Sequence, residues 1–335
     1  MSVWLPTAPC RPETCLSERA PEVSHLRRVL RLAACLTAVL AGLVLSLPVR
    51  LMPYGAREGL IRFWARVLLR TLGVTVHLSS SGAHGSAGSA HSADSVGSAG
   101  PVGSAWSVGS AGPVGSAWSV GSAGSLGSPA PGGAGISGRT ARGAASGTVG
   151  GGGALVVANH VSWLDIPLLA AGRPGRSLAK TEVRQWPVLG HLVAWGGTVF
   201  LERDRLRTLP DTVAAVAEVL RSGHSVIVFP EGSTWCGRES GRFRPALFQA
   251  AVDAGAFVQP VTIRYRLADG QPTSAPAFVG DDGLLTSLAR VVAVRGLVAD
   301  VTFLPPIPPP RPHSTRAGAR RELARAAQAA VEGIR

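Results

Sequence analysis

The sequence predicts an α/β protein: a mixed sheet flanked by helices, preceded by a helical segment that associates with a membrane. Three observations point there. Short β-branched runs at 154–158, 225–229 and 257–263 alternate with stretches of helical periodicity at 210–222 and 315–331. The stretch Leu32 to Val49 carries no charge and is bordered by Arg27, Arg28, Arg31 and Arg50, near the lower limit of the roughly 20 residues that span a bilayer. Between 79 and 153 the composition collapses to Gly, Ser and Ala, which cannot bury enough apolar surface to offset the entropy of ordering.

The bulk numbers narrow the function classes. The formal charge is +13, from 33 Lys+Arg against 20 Asp+Glu. A basic chain suits nucleic acid, anionic membrane or phosphorylated substrates. With 5% aromatic residues and no zinc-finger spacing, nucleic acid is not expected. The cysteines, Cys10, Cys15, Cys35 and Cys236, include no C-x-x-C pair. They read as neither a disulfide framework nor a metal site, which suits a reducing compartment.

Residues 1–27 are polar and read as a disordered N-terminus. Residues 28–72 read as a membrane anchor followed by an amphipathic helix. A signal peptide is the rival for the anchor, with Ser46 and Pro48 near its end, but no A-x-A site follows. Both flanks are basic, so charge alone does not orient the segment. From Arg57 to Leu72 the apolar face is Leu60, Ile61, Trp64, Val67 and Leu68. That helix lies on an anionic membrane surface or packs on the domain; both readings stand. Gly73 ends it, and 73–78 reads as the first strand of the α/β domain.

In the insertion, Gly97 to Val108 recurs at Gly109 to Val120. Lengthening a surface loop costs little, so strands 74–78 and 154–158 are expected to pair as neighbours around it. The rest of the α/β domain spans 154–335. Strands are expected at 176–180 and 196–203, with the apolar stretch Trp186 to Gly190 between them suited to lining a tunnel. A helix follows from Pro210 to Ser222, capped by Thr208 and stopped by Gly223, with Val213, Val216, Ala217 and Leu220 inward. Ser225 to Phe229 is a buried strand, and 244–255 a helix. Strand 257–263 contains Pro260, which suggests an edge or a bulge. Val301 to Leu304 is a last strand, and Thr315 to Val331 a last helix.

Chemistry concentrates at the strand ends, where open α/β sheets place their functional groups. The run 155–158 ends in Asn159-His160, and Asp165 follows five residues after His160. A helix beginning near Ser162 brings that carboxylate back to the imidazole and makes a histidine base of fixed tautomer. Gly223-His224-Ser225 would need glycine where Ile227 stands to form a nucleophile elbow, so no nucleophilic serine is signalled. His160, His191 and His224 lack metal-ligand spacing, and no metal is expected.

Four blocks taken together resemble the glycerolipid acyltransferase family, the 1-acylglycerol-3-phosphate acyltransferases. They are Asn159, His160 and Asp165; Gly197, Phe200 and Arg203; Phe229, Pro230, Glu231, Gly232 and Ser233; and Val258 with Pro260. They occur in the family's order over about 105 residues. The resemblance covers 74–78 and 154–304 and implies a glycerol-3-phosphate acyltransferase-like fold. It implies transfer of a fatty acyl chain from acyl-CoA or acyl carrier protein to a lysophospholipid hydroxyl at a membrane. No cofactor is implied beyond the acyl donor itself. An acyl thioester is already activated, so the enzyme must deprotonate the alcohol and align it. His160 is the implied base and Asp165 its orienting partner. Arg203 matches a phosphate geometrically, and Lys180 adds positive charge. The Glu231-Gly232 turn presents backbone N–H groups to the acceptor, while Glu231 fixes the turn or binds a glycerol hydroxyl. The cytosolic donor implies a site on the cytoplasmic side of the cell membrane. One departure bears on the acceptor: Ser233-Thr234-Trp235 stands where many members have Thr-Arg-Ser, so the usual arginine after the Gly-Ser/Thr pair is missing. Lyso-ornithine lipid or another lipid alcohol is the alternative acceptor. A catalytically silent protein that binds anionic membrane is the alternative of another class, and intact His160 and Asp165 argue against it.

Overall fold

The computed structural model describes residues 8–16, 20–49, 52–81, 153–181, 198–201, 206–309 and 315–334. Helices α1 (Pro12–Cys15), α2 (His25–Val49) and α3 (Tyr54–Thr71) precede strand β1 (Val74–Ser80). Beyond the insertion come β2 (Ala154–Ala158), α4 (Asp165–Gly172), β3 (Arg176–Lys180), β4 (Val199–Leu201), α5 (Leu209–Arg221) and β5 (Val226–Val228). Helix α6 (Phe248–Ala254), β6 (Phe257–Leu267), α7 (Leu284–Ala293), β7 (Leu297–Phe303) and α8 (Arg316–Glu332) complete the chain.

The seven strands form one sheet in the order β1-β7-β6-β2-β5-β3-β4. Every neighbouring pair is parallel except β6 with β7. Both faces are covered, which is why β2 and β5 are uninterrupted apolar runs. Period-two alternation sorts their side chains. Val156 and Ala158 join Leu69, Leu72, Leu164, Leu168 and Ile263 on one face. Leu155 and Val157 join Val216, Leu220, Phe248, Leu323 and Ala327 on the other. The inward face read for helix 210–222 is buried as expected, and Gly223 stops α5 with φ +83°.

Several sequence expectations are corrected. Strands β1 and β2 are not neighbours: β1 pairs with β7, while β2 lies between β5 and β6. A loop as long as the insertion leaves its flanking strands free to find separate partners. Pro260 lies in a central strand, opposite Val157 of β2. Its carbonyl accepts from Leu304 N at 3.0 Å, just past the end of β7. The ring nitrogen faces that same side, so the β2 ladder loses no donor and neither an edge nor a bulge is needed. Thr208 has helical backbone angles and makes no side-chain cap. The helix expected from 244 begins at Phe248, and α7 has no counterpart in the sequence reading.

The segment read as disordered is ordered where described. Cys10 and Val23 are buried, Val23 N donates to Ala293 O at 2.8 Å, and Arg295 N donates to Pro21 O at 2.7 Å. These bonds join it to the turn between α7 and β7, a long-range pairing that composition cannot reveal. The remaining N-terminal residues, 82–152, and the stretch 182–197 with its tunnel-lining expectation lie outside the described residues.

Helix α3 packs on the domain through Ala65, Leu69 and Leu72. This stripe is displaced from the expected one, and Ile61 and Phe63 stay exposed. Helices α2 and α3 pack closely: a Cβ on Gly42 would clash with the Trp64 indole. Arg31 ties α2 to the domain through 2.8 Å bonds to Val292 O and Val294 O. Among the described residues, His25–Leu45 is the one helical stretch long and apolar enough to cross a membrane, with mean hydropathy 1.9. Its Val29, Leu30, Leu36, Leu40 and Val44 are exposed.

Candidate active site

Strand β2 ends at Ala158, but the chain stays bound to β6 for one residue more. The Asn159 side chain donates to Ile263 O at 2.9 Å and accepts from Ile263 N at 2.8 Å. It thus imitates a ladder rung, and Asn159 is itself buried. Released from the sheet, the next residue, His160, is only partly buried.

The following turn is built around Asp165, the first residue of α4. Its Oδ2 accepts from Val161 N at 2.7 Å and Ser162 N at 2.9 Å, and lies 2.9 Å from His160 Nδ1. Its Oδ1 accepts from the Tyr265 hydroxyl at 2.6 Å. Asp165 is wholly buried, while the His160 side chain keeps 18% exposure. With a carboxylate accepting from all sides, Nδ1 carries the proton and donates, and Nε2 is left as the basic nitrogen. The Phe229 ring stacks on the imidazole, centroids 3.9 Å apart and planes 12° from parallel. Phe229 follows directly on β5, whose Val228 pairs with Val157 of β2, so adjacent strand ends deliver both rings.

Glu231 is a buried brace. Its Oε2 accepts from His160 N at 2.8 Å and its Oε1 from Gly241 N at 3.2 Å. Trp235 N donates to His160 O at 2.8 Å, so the backbone of His160 is gripped on both sides by the 229–241 loop. Of the two roles considered for Glu231, fixing the turn is the one these contacts support. The Gly232 amide donates to Phe229 O at 3.1 Å, within the turn. Gly232 has φ +76°, which favours glycine at that step.

Pro230 is buried beneath the loop and Ser233 is half-buried on it. Phe200 is half-buried on β4. Lys180 is the last residue of β3, and its side chain is outside what is described. Gly197 and Arg203 lie outside the described residues. Pro260 sits on β6, away from an edge, as noted above.

Tyr265 escaped the sequence reading. It stands two residues beyond Ile263 on β6, on the same face, and that alternation is the signal that could have found it. Burial, then the adjacent Asp165 charge, pushes its hydroxyl well above the usual tyrosine range. It therefore remains a donor. Unfolded tyrosine titrates near 10, so above that pH the unfolded chain releases a proton that the folded chain retains. Stability associated with Tyr265 is present below about pH 10 and declines as pH rises further. Tyr265→Phe is expected to cost about 1–2 kcal/mol at neutral pH and to flatten this alkaline decline. Urea midpoints from pH 7 to 11 measure both.

A partly exposed imidazole, held in one tautomer by a buried carboxylate, can take a proton at Nε2 from an approaching hydroxyl. Residues 139–264 match the sequence profile of the family described as Acyltransferase. A 1-acyl-sn-glycerol-3-phosphate acyltransferase of Neisseria gonorrhoeae is 43% identical over 152 residues, 45% of this chain and 59% of that protein. The chain is thus similar to the glycerolipid acyltransferases and carries the acyltransferase profile over residues 139–264. Another relative in the family is the lyso-ornithine lipid O-acyltransferase of Pseudomonas aeruginosa. It is 42% identical over 181 residues, 53% of this chain and 66% of that protein. The match thus spans 59% of the length of the Neisseria protein. The acyltransferase fold also resembles the crystal structure of the 1-acyl-sn-glycerophosphate acyltransferase PlsC from Thermotoga maritima. Their TM-score is 0.54 at 17% identity, covering 92% of this chain and 95% of that one. That agreement bears on the fold alone, and the expected mixed sheet flanked by helices is the architecture found.

Proposed function

We propose that this acyltransferase moves a fatty acyl chain from acyl-CoA or acyl carrier protein to the free hydroxyl of 1-acylglycerol-3-phosphate, giving phosphatidate. The observation that carries the reading is the His160 Nδ1–Asp165 Oδ2 contact of 2.9 Å at the end of β2. His160 Nε2 takes the hydroxyl proton as the acceptor oxygen attacks the thioester carbonyl carbon. The tetrahedral intermediate collapses with cleavage of the C–S bond, and the imidazolium returns the proton to the departing thiolate. Asp165 stabilises the imidazolium between those steps. No protein nucleophile and no cofactor enters this sequence.

Arg203 and Lys180, each at the end of a strand in the sequence reading, are assigned to the acceptor phosphate. The exposed apolar surface of α2, with Ile61 and Phe63 of α3, supports membrane association. A cytosolic donor places the site on the cytoplasmic side. A second reading has lyso-ornithine lipid as the acceptor. Two observations favour it: the loop lacks arginine after Gly232-Ser233, and the Pseudomonas relative with that name aligns over 181 residues.

The test supplies membranes carrying the full chain with labelled acyl-CoA or acyl carrier protein and each acceptor in turn. Label is expected in phosphatidate. Label only in ornithine lipid would keep the chemistry and move the acceptor. Label in neither, with both donors, would overturn the proposed function.

A further inference from the structure

The cysteines at 10, 15 and 236 are far apart in sequence, yet their sulfurs all lie within 4.8 Å of one another. We propose that Cys10, Cys15 and Cys236 form a three-thiolate site for a zinc-class metal ion that fastens the N-terminal segment to the loop behind the candidate base. Tetrahedral zinc with bonds of about 2.3 Å holds its sulfur ligands roughly 3.8 Å apart. The observed grouping needs a contraction of about an ångström at most to reach that geometry.

The grouping is held by contacts that do not involve the sulfurs. Cys15 N donates to Arg11 O at 2.9 Å, closing the short turn of α1 that returns Cys15 to Cys10. The Ser274 hydroxyl donates to Cys15 O at 2.6 Å. Gly280, at φ +61°, lets the segment approach: a Cβ there would meet Pro12 Cδ at 3.0 Å and Cys10 O at 3.5 Å. On the other side, Cys236 directly follows Trp235, whose amide binds His160 O, and precedes Gly237 at φ +88°. Both ligand-bearing segments are therefore positioned before any ion arrives.

All the cysteines are free thiols. Cys10 and Cys236 are buried and Cys15 is half-buried, so an ion reaches the group from the Cys15 side, where water completes the tetrahedron. Burial, with the neighbouring Cys236 and Cys15, pushes the Cys10 thiol up to about 12. Against the burial that would raise it, hydrogen bonds from Thr14, the Arg11 backbone and the two other thiols hold Cys15 below its ordinary value. A bound divalent cation reverses the balance at Cys10, because three protons leave and the ion neutralises two of the three charges that remain. Soft thiolate ligands select zinc over magnesium or calcium.

The proposal is independent of the acyl acceptor and is tested without an activity assay. The full chain, purified in detergent under reducing conditions, is loaded with Zn(II) or Co(II) and freed of excess by gel filtration. About one equivalent of metal per chain is expected, with a thiolate-to-cobalt charge-transfer band in the near ultraviolet. Cys10→Ser, Cys15→Ser and Cys236→Ser should each weaken binding at least about tenfold, and Cys35→Ser should leave it unchanged. A chelator should lower the melting temperature of the wild type but not of Cys236→Ser. Metal below a tenth of an equivalent on loaded wild-type protein overturns the site even if every variant misfolds. So does a cobalt band that survives Cys236→Ser, or a disulfide between two of the three in protein taken directly from cells.

Discussion

Replacing His160 with alanine is expected to lower the acyl-transfer rate by about 10²- to 10⁴-fold, the range for removal of a positioned general base. The protein should remain folded. Asp165 keeps its bonds from Val161 N, Ser162 N and the Tyr265 hydroxyl, so no buried carboxylate is stranded. The backbone bonds from His160 N to Glu231 and from Trp235 N to His160 O do not involve the imidazole. Phe229 loses a stacked ring, a change of about 1 kcal/mol. A large loss of turnover with a nearly unchanged urea midpoint is therefore the signature, with KM for the acyl donor little altered. Initial rates with labelled acyl-CoA and the preferred acceptor measure it. Equal rates in variant and wild type would remove His160 from the proton transfer.

The elements of this fold were legible where local pattern decides them, and the pairing was not. β2 and β5 announce themselves as short apolar runs, and α5 as a periodic face ending in glycine. Which strand lies beside which is a long-range matter. Val74 to Leu78 looks the same whether its partner is β2 or β7. Only the packing of α3 over β1 and the antiparallel return of β7 along β6 decide it. Pro260 misled for a related reason. A proline excludes a ladder bond on one side only, and its sequence does not tell which side that is.

The site divides along the same line. His160 and Asp165 are five residues apart, so a turn and the start of a helix suffice to join them, and the sequence reading placed them together. Tyr265 reaches the same carboxylate from 100 residues away, and Glu231 reaches the His160 backbone from 71 residues away. Those contacts exist because β5 and β6 flank β2 in register. The three cysteines were passed over because spacing rules describe ligands carried on one local motif. Here a disordered-looking N-terminus supplies two thiols and the loop after β5 supplies the third.

Asp165→Asn is expected to slow acyl transfer by about 10²- to 10³-fold with little loss of stability, and the hydrogen-bond pattern explains why the two separate. The oxygen facing Val161 N and Ser162 N must remain an acceptor, since an amide NH₂ there would oppose two backbone donors. The asparagine oxygen therefore takes that position, where it also accepts from His160 Nδ1 and preserves the tautomer. Its NH₂ faces the Tyr265 hydroxyl, which can rotate to accept. Geometry survives, and what disappears is the negative charge beside the imidazolium. At an effective dielectric near 20, charges about 4 Å apart attract by about 4 kcal/mol, and each 1.36 kcal/mol is tenfold in rate. About 10³-fold is thus an upper bound on the loss. Asp165→Ala instead strands Val161 N, Ser162 N and the Tyr265 hydroxyl. At about 1–3 kcal/mol for each buried unpaired group, it should cost several kcal/mol of the roughly 5–15 that hold a domain together. Urea midpoints and rates for the two variants, measured side by side, separate charge from scaffold. An asparagine variant as active as wild type would show that Asp165 only orients His160. One as unstable as the alanine variant would show that the carboxylate is needed for the fold itself.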